Sequence, residues 1–499
     1  MKKNIIANFI GRLWGILSNF LFIPLYIHYL GFESYSIISF TLIISGLMAV
    51  LDAGLSATLS REFARLDNSH DEKIRIFRTL ESSYFIIVGF CIILIFSLSG
   101  IVADNWLKLN SFTPNVIAYF LKIISIDVGF QLLLRFYMGG LLGLEKQVKA
   151  NMYQVGLGIL RNGLVVVAIL FVPTLEMFFV WQAVSTVIFA ILLRFSLCKI
   201  LIGRYFYFQL RIEKSVFKEV WRFAGGMLLI SVVASLNTQM DKLAISKFLP
   251  IESLGYYTLS VSLAMGLIVL VNPISAALLP RFTALYSAGK SDEASILFDK
   301  INLLVAILVF SVMANMVFFA KELIWIWTGK MELAEHAHIF LPIISLSFTM
   351  LALQIIPFNI AIANGYTKLN NLLGLVSLLV TLPGYWLATK CYGAIGAAYV
   401  FCGIQTITTF IYLYFINKKF LKIKRVYMIY IKQMLLPPLI SLPIACAFSF
   451  IPSWATENRV YTLAWIGIAT SVTLVITALI HLTKSEVKLI VNLRKIIKK

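Results

Sequence analysis

Fourteen runs of about twenty mostly apolar residues divide this 499-residue chain, and no other feature limits its fold so strongly. A run of that length crosses the ~30 Å hydrocarbon layer of a bilayer as an α-helix. The runs cover residues 5–30, 35–59, 81–103, 116–138, 151–172, 175–197, 223–248, 254–278, 299–320, 339–363, 372–389, 394–416, 434–452 and 460–483. Hydrophobic residues make up 60% of the chain and charged residues 13%, which is not the balance of a soluble core. The expected fold class is an all-α integral membrane protein with about 14 transmembrane helices. Only Pro173-Thr174 separates the fifth span from the sixth.

A net charge of +20 suggests nucleic acid until its distribution is examined. With the N-terminus inside and residues at span ends assigned to adjoining loops, 32 Lys and Arg lie on the inner side, five on the outer and six within spans. That asymmetry places both termini in the cytoplasm. The basic loops Lys199 to Lys218 and Lys418 to Lys432, and the tail Lys484 to Lys499, are anchors that also suit anionic headgroups. Nucleic acid is therefore excluded as a partner, and membrane lipid is expected as one.

The first span is too long for the core of a signal peptide and leads directly into a second. The five cysteines lie in or beside spans without paired spacing, so neither disulfides nor a metal site is expected. The histidines His28, His70, His336, His338 and His481 are scattered and form no H-E-x-x-H motif, and Gly139 to Lys146 lacks the spacing of a phosphate-binding loop. Outer loops are short, the longest running roughly from Lys321 to His338. No cofactor is expected, and the chain is not read as an enzyme.

The second half repeats the first with an offset near 220. Arg61 pairs with Arg281, Asp71-Glu72 with Asp292-Glu293, Gly143 with Gly365, and Gln182 with Gln405. Six spans per repeat is an even number, so the two halves have the same orientation in the membrane. The expected domains are a six-helix lobe with its following loop (1–218), a second such lobe (219–433), and two extra helices with a basic tail (434–499). A cavity is expected where the lobes face each other.

The motifs Asn8-Phe-Ile-Gly11, Pro24-Leu-Tyr26, Leu30-Gly31, Leu51-Asp-Ala-Gly54 and Arg61-Glu62-Phe-Ala-Arg65 look like the N-terminal pattern of bacterial polysaccharide-lipid flippases. They resemble the Wzx type of O-antigen transporter, in the superfamily that also holds the MATE exporters and the lipid II flippase. The stretch Trp325-Ile-Trp327-Thr-Gly329 and the layout of twelve spans plus two agree with it. The resemblance implies a MATE-like fold in the bacterial inner membrane. It also implies alternating access that moves an undecaprenyl-pyrophosphate-linked oligosaccharide, an O-antigen unit, from the cytoplasmic to the periplasmic leaflet. A polysaccharide polymerase and a chain-length regulator are candidate partners on the same ground. The alternative is an ion-coupled MATE-like exporter of small cationic compounds, which calls for acidic cavity residues. A third reading, an O-antigen polymerase, calls for large outer loops.

Polar groups inside the spans are expensive to bury and face protein or water. Asn8, Arg12 and Asn19 share one face of the first span, and Asp127, Gln131 and Arg135 share one face of the fourth. Arg12 and Asp52 lie at equal depth in adjacent spans, as do Arg161 and Asp127. Each pair is open to two readings, mutual neutralisation or a substrate-facing role. Lys247 and Arg135 lie near span ends, where long cations snorkel. Six cations (Arg12, Lys122, Arg135, Arg161, Lys242, Lys247) against three anions (Asp52, Asp127, Asp241) leave +3 inside the spans. A cationic cavity follows, suited to a pyrophosphate. The candidate substrate-binding residues are Arg12, Arg161, Lys122, Arg135, Lys242, Asn8 and Asn19. The candidates for ion coupling or charge pairing are Asp52, Asp127 and Asp241, and Arg61, Glu62 and Arg65 form a cytoplasmic motif. An inside-negative potential favours outward movement of an anion by about 2.3 kcal/mol per charge per 100 mV, so ATP is not required.

Overall fold

In hydrocarbon a backbone must satisfy its own polar groups, and an apolar run does so as a helix. The computed structural model describes residues 18, 20–52, 54–65, 69–205, 208–421, 429–452 and 458–481, with 219–227 and 229 known by backbone only. Among these residues no β-strand forms, and extended pairing is confined to a bridge between Lys108 and Pro250.

The described chain opens with α1 (Phe20–Leu30), α2 (Phe32–Met48) and α3 (Leu55–Ala64). Then come α4 (His70–Asn105), α5 (Pro114–Gly143), α6 (Gln147–Phe171), α7 (Leu175–Ile202) and α8 (Lys214–Phe248). Next are α9 (Ile251–Ala264), α10 (Gly266–Ser287), α11 (Ser291–Phe318), and the short α12 (Ala320–Thr328) and α13 (Met331–Ala337). The chain closes with α14 (Leu341–Ala363), α15 (Lys368–Tyr392), α16 (Ala394–Leu421), α17 (Tyr430–Phe448) and α18 (Arg459–His481).

Twelve stretches are long and apolar enough to span a bilayer, and each coincides with one of the fourteen expected spans. The first expected span is represented by α1, its earlier residues lying outside the described ones. The seventh is α8, a 35-residue helix that is not among the twelve. The loop expected from Lys321 to His338 is folded into α12 and α13.

The second expected span is not one helix. α2 tightens into a 3₁₀ turn at Ala49–Asp52, Gly54 takes a left-handed conformation (φ 72°), and α3 starts afresh. The Asp52 carboxylate accepts from Ser56 N at 3.1 Å and from Ser56 Oγ at 2.6 Å, so it caps the first turn of α3. Asp-Ala-Gly is turn chemistry inside an apolar run, and it decides the break.

Two compact units result, Met1–Gly255 and Tyr256–Lys499. In the first, α5 is central, packed on α3, α4 and α7 around the fully buried Phe63, Phe77, Tyr84, Phe136 and Tyr137. A Cβ on Gly139 would meet Ser56 O at 2.6 Å, and one on Gly143 would meet Ser60 O at 2.5 Å. The α5 backbone therefore lies directly on that of α3, which only this small-residue pair allows. In the second unit α14 is central, against α10, α11 and α16. The C-terminal pair is bound to α11 by buried polar contacts. Gln433 Nε2 donates to Asp299 Oδ1 at 2.7 Å and Asn302 Nδ2 to Gln433 Oε1 at 2.7 Å, while α18 buries Thr462, Ile466, Ala469, Thr473 and Thr477.

One helix-ending geometry recurs along the chain. After α5, Lys146 N bonds Leu141 O and Glu145 N bonds Leu142 O, with Glu145 at φ 59°. After α14, Tyr366 N bonds Ala361 O and Gly365 N bonds Ile362 O, with Gly365 at φ 66°. These are two copies of one helix-ending motif. A third follows α10, where Lys290 N bonds Leu285 O and Gly289 N bonds Tyr286 O, with Gly289 at φ 72°.

Candidate functional site

The polar residues of the first unit converge on a π turn within α6. Residues Ile159–Leu164 leave the α-helical ladder there. Three successive carbonyls of the turn are capped from other helices. Trp181 Nε1 donates to Leu160 O at 2.8 Å, Gln182 Nε2 to Arg161 O at 2.8 Å, and Tyr26 OH to Asn162 O at 2.7 Å. Asn162 Nδ2 adds a bond to Ser18 Oγ at 3.1 Å. A turn of this kind inside a membrane helix needs such donors, and π turns recur at functional sites.

The turn presents Arg161 to α5 and α7. Arg161 Nη2 lies 2.7 Å from Asp127 Oδ2, and Nη1 donates to Thr186 Oγ1 at 2.7 Å. Thr186 Oγ1 in turn donates to Asp127 Oδ1 at 2.5 Å, and Gln131 Nε2 donates to Asp127 Oδ2 at 2.9 Å. Asp127 is buried, and the Arg161 side chain retains 18% exposure. The Arg161–Asp127 ion pair that the shared depth suggests is formed. Four residues beyond Gln131 on the same face, Arg135 is exposed and has no hydrogen bond or ion pair among the described residues. Its charge acts on Tyr84, whose hydroxyl donates to Asp52 Oδ1 at 2.6 Å. Asp52, Tyr84, Arg135, Gln131, Asp127, Arg161 and Thr186 thus form a polar wall on the 3₁₀ turn after α2 and on α4, α5, α6 and α7.

The other candidates are dispersed. Asn8, Arg12 and Asn19 lie outside the described residues. Lys122 is exposed, 5.1 Å over the Phe96 ring. Lys242 Nζ sits 3.1 Å from the buried Asp241 and donates to Thr238 O at 2.8 Å. Glu62 is buried between Arg61 at 3.5 Å and Arg65 at 3.2 Å. Most of the described in-span cations have a partner, but only two of those partners are anions. Of the five described in-span cations, Arg161 and Lys242 meet carboxylates, Lys122 meets a ring, and Lys247 Nζ donates to Asn105 O at 2.6 Å. Arg135 is the fifth.

Two features escaped the sequence reading. Glu81, 2% exposed, accepts from Arg194 Nε at 2.7 Å and from Tyr137 OH at 2.9 Å. Both charges sit at span ends, where they pass for loop residues; their burial among α4, α5 and α7 shows only in three dimensions. The second is a latch between α4 and α8. Lys247 caps the last carbonyls of α4 at Asn105 O, and Lys108 Nζ caps those of α8 at Phe248 O, 2.5 Å away. Trp106 Nε1 donates to Ser246 Oγ at 3.0 Å, and the Glu33 carboxylate accepts from Asn110 N and Ser111 N at 2.8 and 2.9 Å. Each lysine thus sits at the negative end of the other helix.

The family model of the polysaccharide biosynthesis protein matches residues 1–286, more than half of the chain. The chain belongs to that family. The motifs Asn8 to Gly11 and Arg61 to Arg65 lie inside the match, in agreement with the Wzx-type resemblance. The MatE family model matches residues 227–387. A Shigella flexneri protein assigned as an O-antigen transporter is 23% identical over 380 residues, covering 74% of this chain and 86% of that protein. Among solved structures, the lipid II flippase MurJ in an inward closed conformation superposes with a TM-score of 0.72 at 17% identity, over 96% of this chain and 98% of that one. An inward-facing multidrug resistance MATE family transporter of the MOP superfamily gives 0.65 at 14% identity, over 85% and 98%. The fold of this multi-pass membrane protein is thus the MATE-like fold, and its relatives are transporters rather than enzymes.

Proposed function

We propose that this family member flips an undecaprenyl-pyrophosphate-linked oligosaccharide, an O-antigen unit, from the cytoplasmic to the periplasmic leaflet of the inner membrane. The observation that carries the reading is the polysaccharide biosynthesis match over residues 1–286. The Shigella relative's assignment as an O-antigen transporter supports the cargo. With both termini cytoplasmic, as the loop charges require, the α4–α8 latch lies on the periplasmic side and the Gly143 end of α5 on the cytoplasmic side. Alternating access then needs two lobes, 1–218 and 219–433, with 434–499 appended, and it needs the Lys108 and Lys247 caps to open. The pyrophosphate meets Arg135, the cation of the polar wall left without a partner among the described residues, in bidentate contact. The Arg161–Asp127 pair braces the wall. A polymerase and a chain-length regulator would receive the flipped unit.

The MatE match over residues 227–387 favours a second reading, an ion-coupled exporter of small molecules. Complementation separates the two. A deletion strain carrying Arg135→Ala is expected to lose surface polysaccharide while the protein stays at wild-type abundance, and Arg135→Lys to recover part of it. Normal polysaccharide in the deletion strain itself, with increased drug sensitivity, would establish the exporter instead.

A further inference from the structure

The segment joining α7 to α8 carries none of the residues of the polar wall. Its residues 208–213 run extended along α4, where Arg211 N donates to Ser82 Oγ at 2.9 Å and Glu213 N to Thr79 Oγ1 at 3.3 Å. Glu213 ends the run against Arg75, which donates from Nε at 2.9 Å. The strap alternates apolar and polar residues, Phe208-Gln-Leu210-Arg-Ile212, yet Phe208, Leu210 and Ile212 remain 65%, 56% and 45% exposed. Three neighbouring apolar side chains left open in this way need a cover.

Between strap and helix opens a cavity of about 540 Å³, lined by Ser82, Phe85, Ile86, Leu210, Arg211 and Ile212. From Ile86 an exposed apolar lane continues through Phe90 and Ile93 on one face of α4. At the strap end the charge is positive. The Arg75 hydrogen bond holds the Glu213 carboxyl below the usual carboxylate range, and the charges of Arg75, Arg211 and Arg78 act in the same direction against burial. The charges of three guanidinium groups thus act on this one carboxylate, and Glu72 adds a second carboxylate beside Arg75. The Arg211 side chain is exposed and has no hydrogen bond or ion pair among the described residues.

We propose that this groove binds an anionic phospholipid, with its phosphodiester on Arg211 and an acyl chain along Ile86, Phe90 and Ile93. The excess of arginine selects the anionic headgroup, because a zwitterionic lipid brings its own cation to the same place. Bound there, the lipid covers Leu210 and Ile212 and fixes the strap between α7 and α8.

The test is native mass spectrometry of the full-length protein titrated with phosphatidylglycerol and with phosphatidylcholine. Wild type is expected to prefer phosphatidylglycerol. Arg211→Gln is expected to lower that affinity about tenfold, the weight of one charge-assisted contact, with phosphatidylcholine unchanged. Arg211→Lys should keep most of the preference, and Lys390→Gln, far along the chain at an exposed position, all of it. Arg211 holds the strap through its backbone, so hydrogen exchange of residues 208–213 without lipid should match wild type in Arg211→Gln. Equal binding of the two lipids by wild type, an unchanged preference in Arg211→Gln, or displacement of phosphatidylglycerol by an equal concentration of a polyprenyl pyrophosphate would each overturn the assignment. The assay contains no lipid-linked sugar, so its failure leaves the transport reading standing.

Discussion

Arg161 illustrates how a buried charge is kept in a membrane protein. Its guanidinium is matched by one carboxylate and one hydroxyl, and the backbone that carries it is a π turn whose carbonyls are capped by Tyr26, Trp181 and Gln182. Removing one member of such a pair leaves an uncompensated charge, at a cost of about 3–5 kcal/mol. Arg161→Ala alone is therefore expected to lower the unfolding temperature and membrane abundance strongly. Arg161→Ala with Asp127→Ala should recover part of the loss. Thermal unfolding of the purified single and double variants in detergent checks this, and a double variant no better than the single one contradicts the pairing. The sequence shows that Arg161 and Asp127 lie at one depth, and a partner at that depth is all that hydropathy can indicate. It does not show that the pair is satisfied, because Thr186 and Gln131 are ordinary span residues until the helices meet.

Helices were legible where their cause is local. Twelve expected spans are recovered because an apolar run of twenty residues has no other stable backbone in lipid. What was not legible is contact between elements. The Gly139 and Gly143 approach to α3, the π turn of α6 and the reciprocal lysine caps of α4 and α8 depend on neighbours. The break at Asp52 to Gly54 was within reach, since Asp-Ala-Gly is a turn signal that the apolar count overrode. At this scale Gly143→Ala is expected to cost about 1–3 kcal/mol, because its Cβ meets backbone that cannot rotate away. The same detergent unfolding assay reads it, and a neutral result means that α3 and α5 are not packed as described. The strap gives a pH prediction. The Glu213 carboxyl is lowered in the folded state, so its link to Arg75 is complete at neutral pH and is lost as the pH falls through and below the ordinary glutamate range. Hydrogen exchange at residues 208–213 should rise over that window in wild type and be fast at every pH in Glu213→Gln.

At the scale of the molecule, the sequence established a membrane-embedded helical bundle, and twelve long apolar helices bear that out. The cationic surplus counted from the sequence is a net charge, which contact with a ring or a carbonyl does not remove. A count of charges within spans cannot tell which of them are already answered, and four of the five described cations are. One exposed arginine in a polar wall, and a fold and family whose relatives are a lipid II flippase and multidrug and O-antigen transporters, carry the transport reading. Movement of the lipid-linked oligosaccharide between leaflets is the central claim, and its sidedness in sealed inverted vesicles tests it most directly. Vesicles from a strain with the protein should show loss of labelled lipid-linked units from the outer, formerly cytoplasmic face. Vesicles from the deletion strain should keep single unpolymerised units on that face. An identical time course in the two preparations would contradict the account.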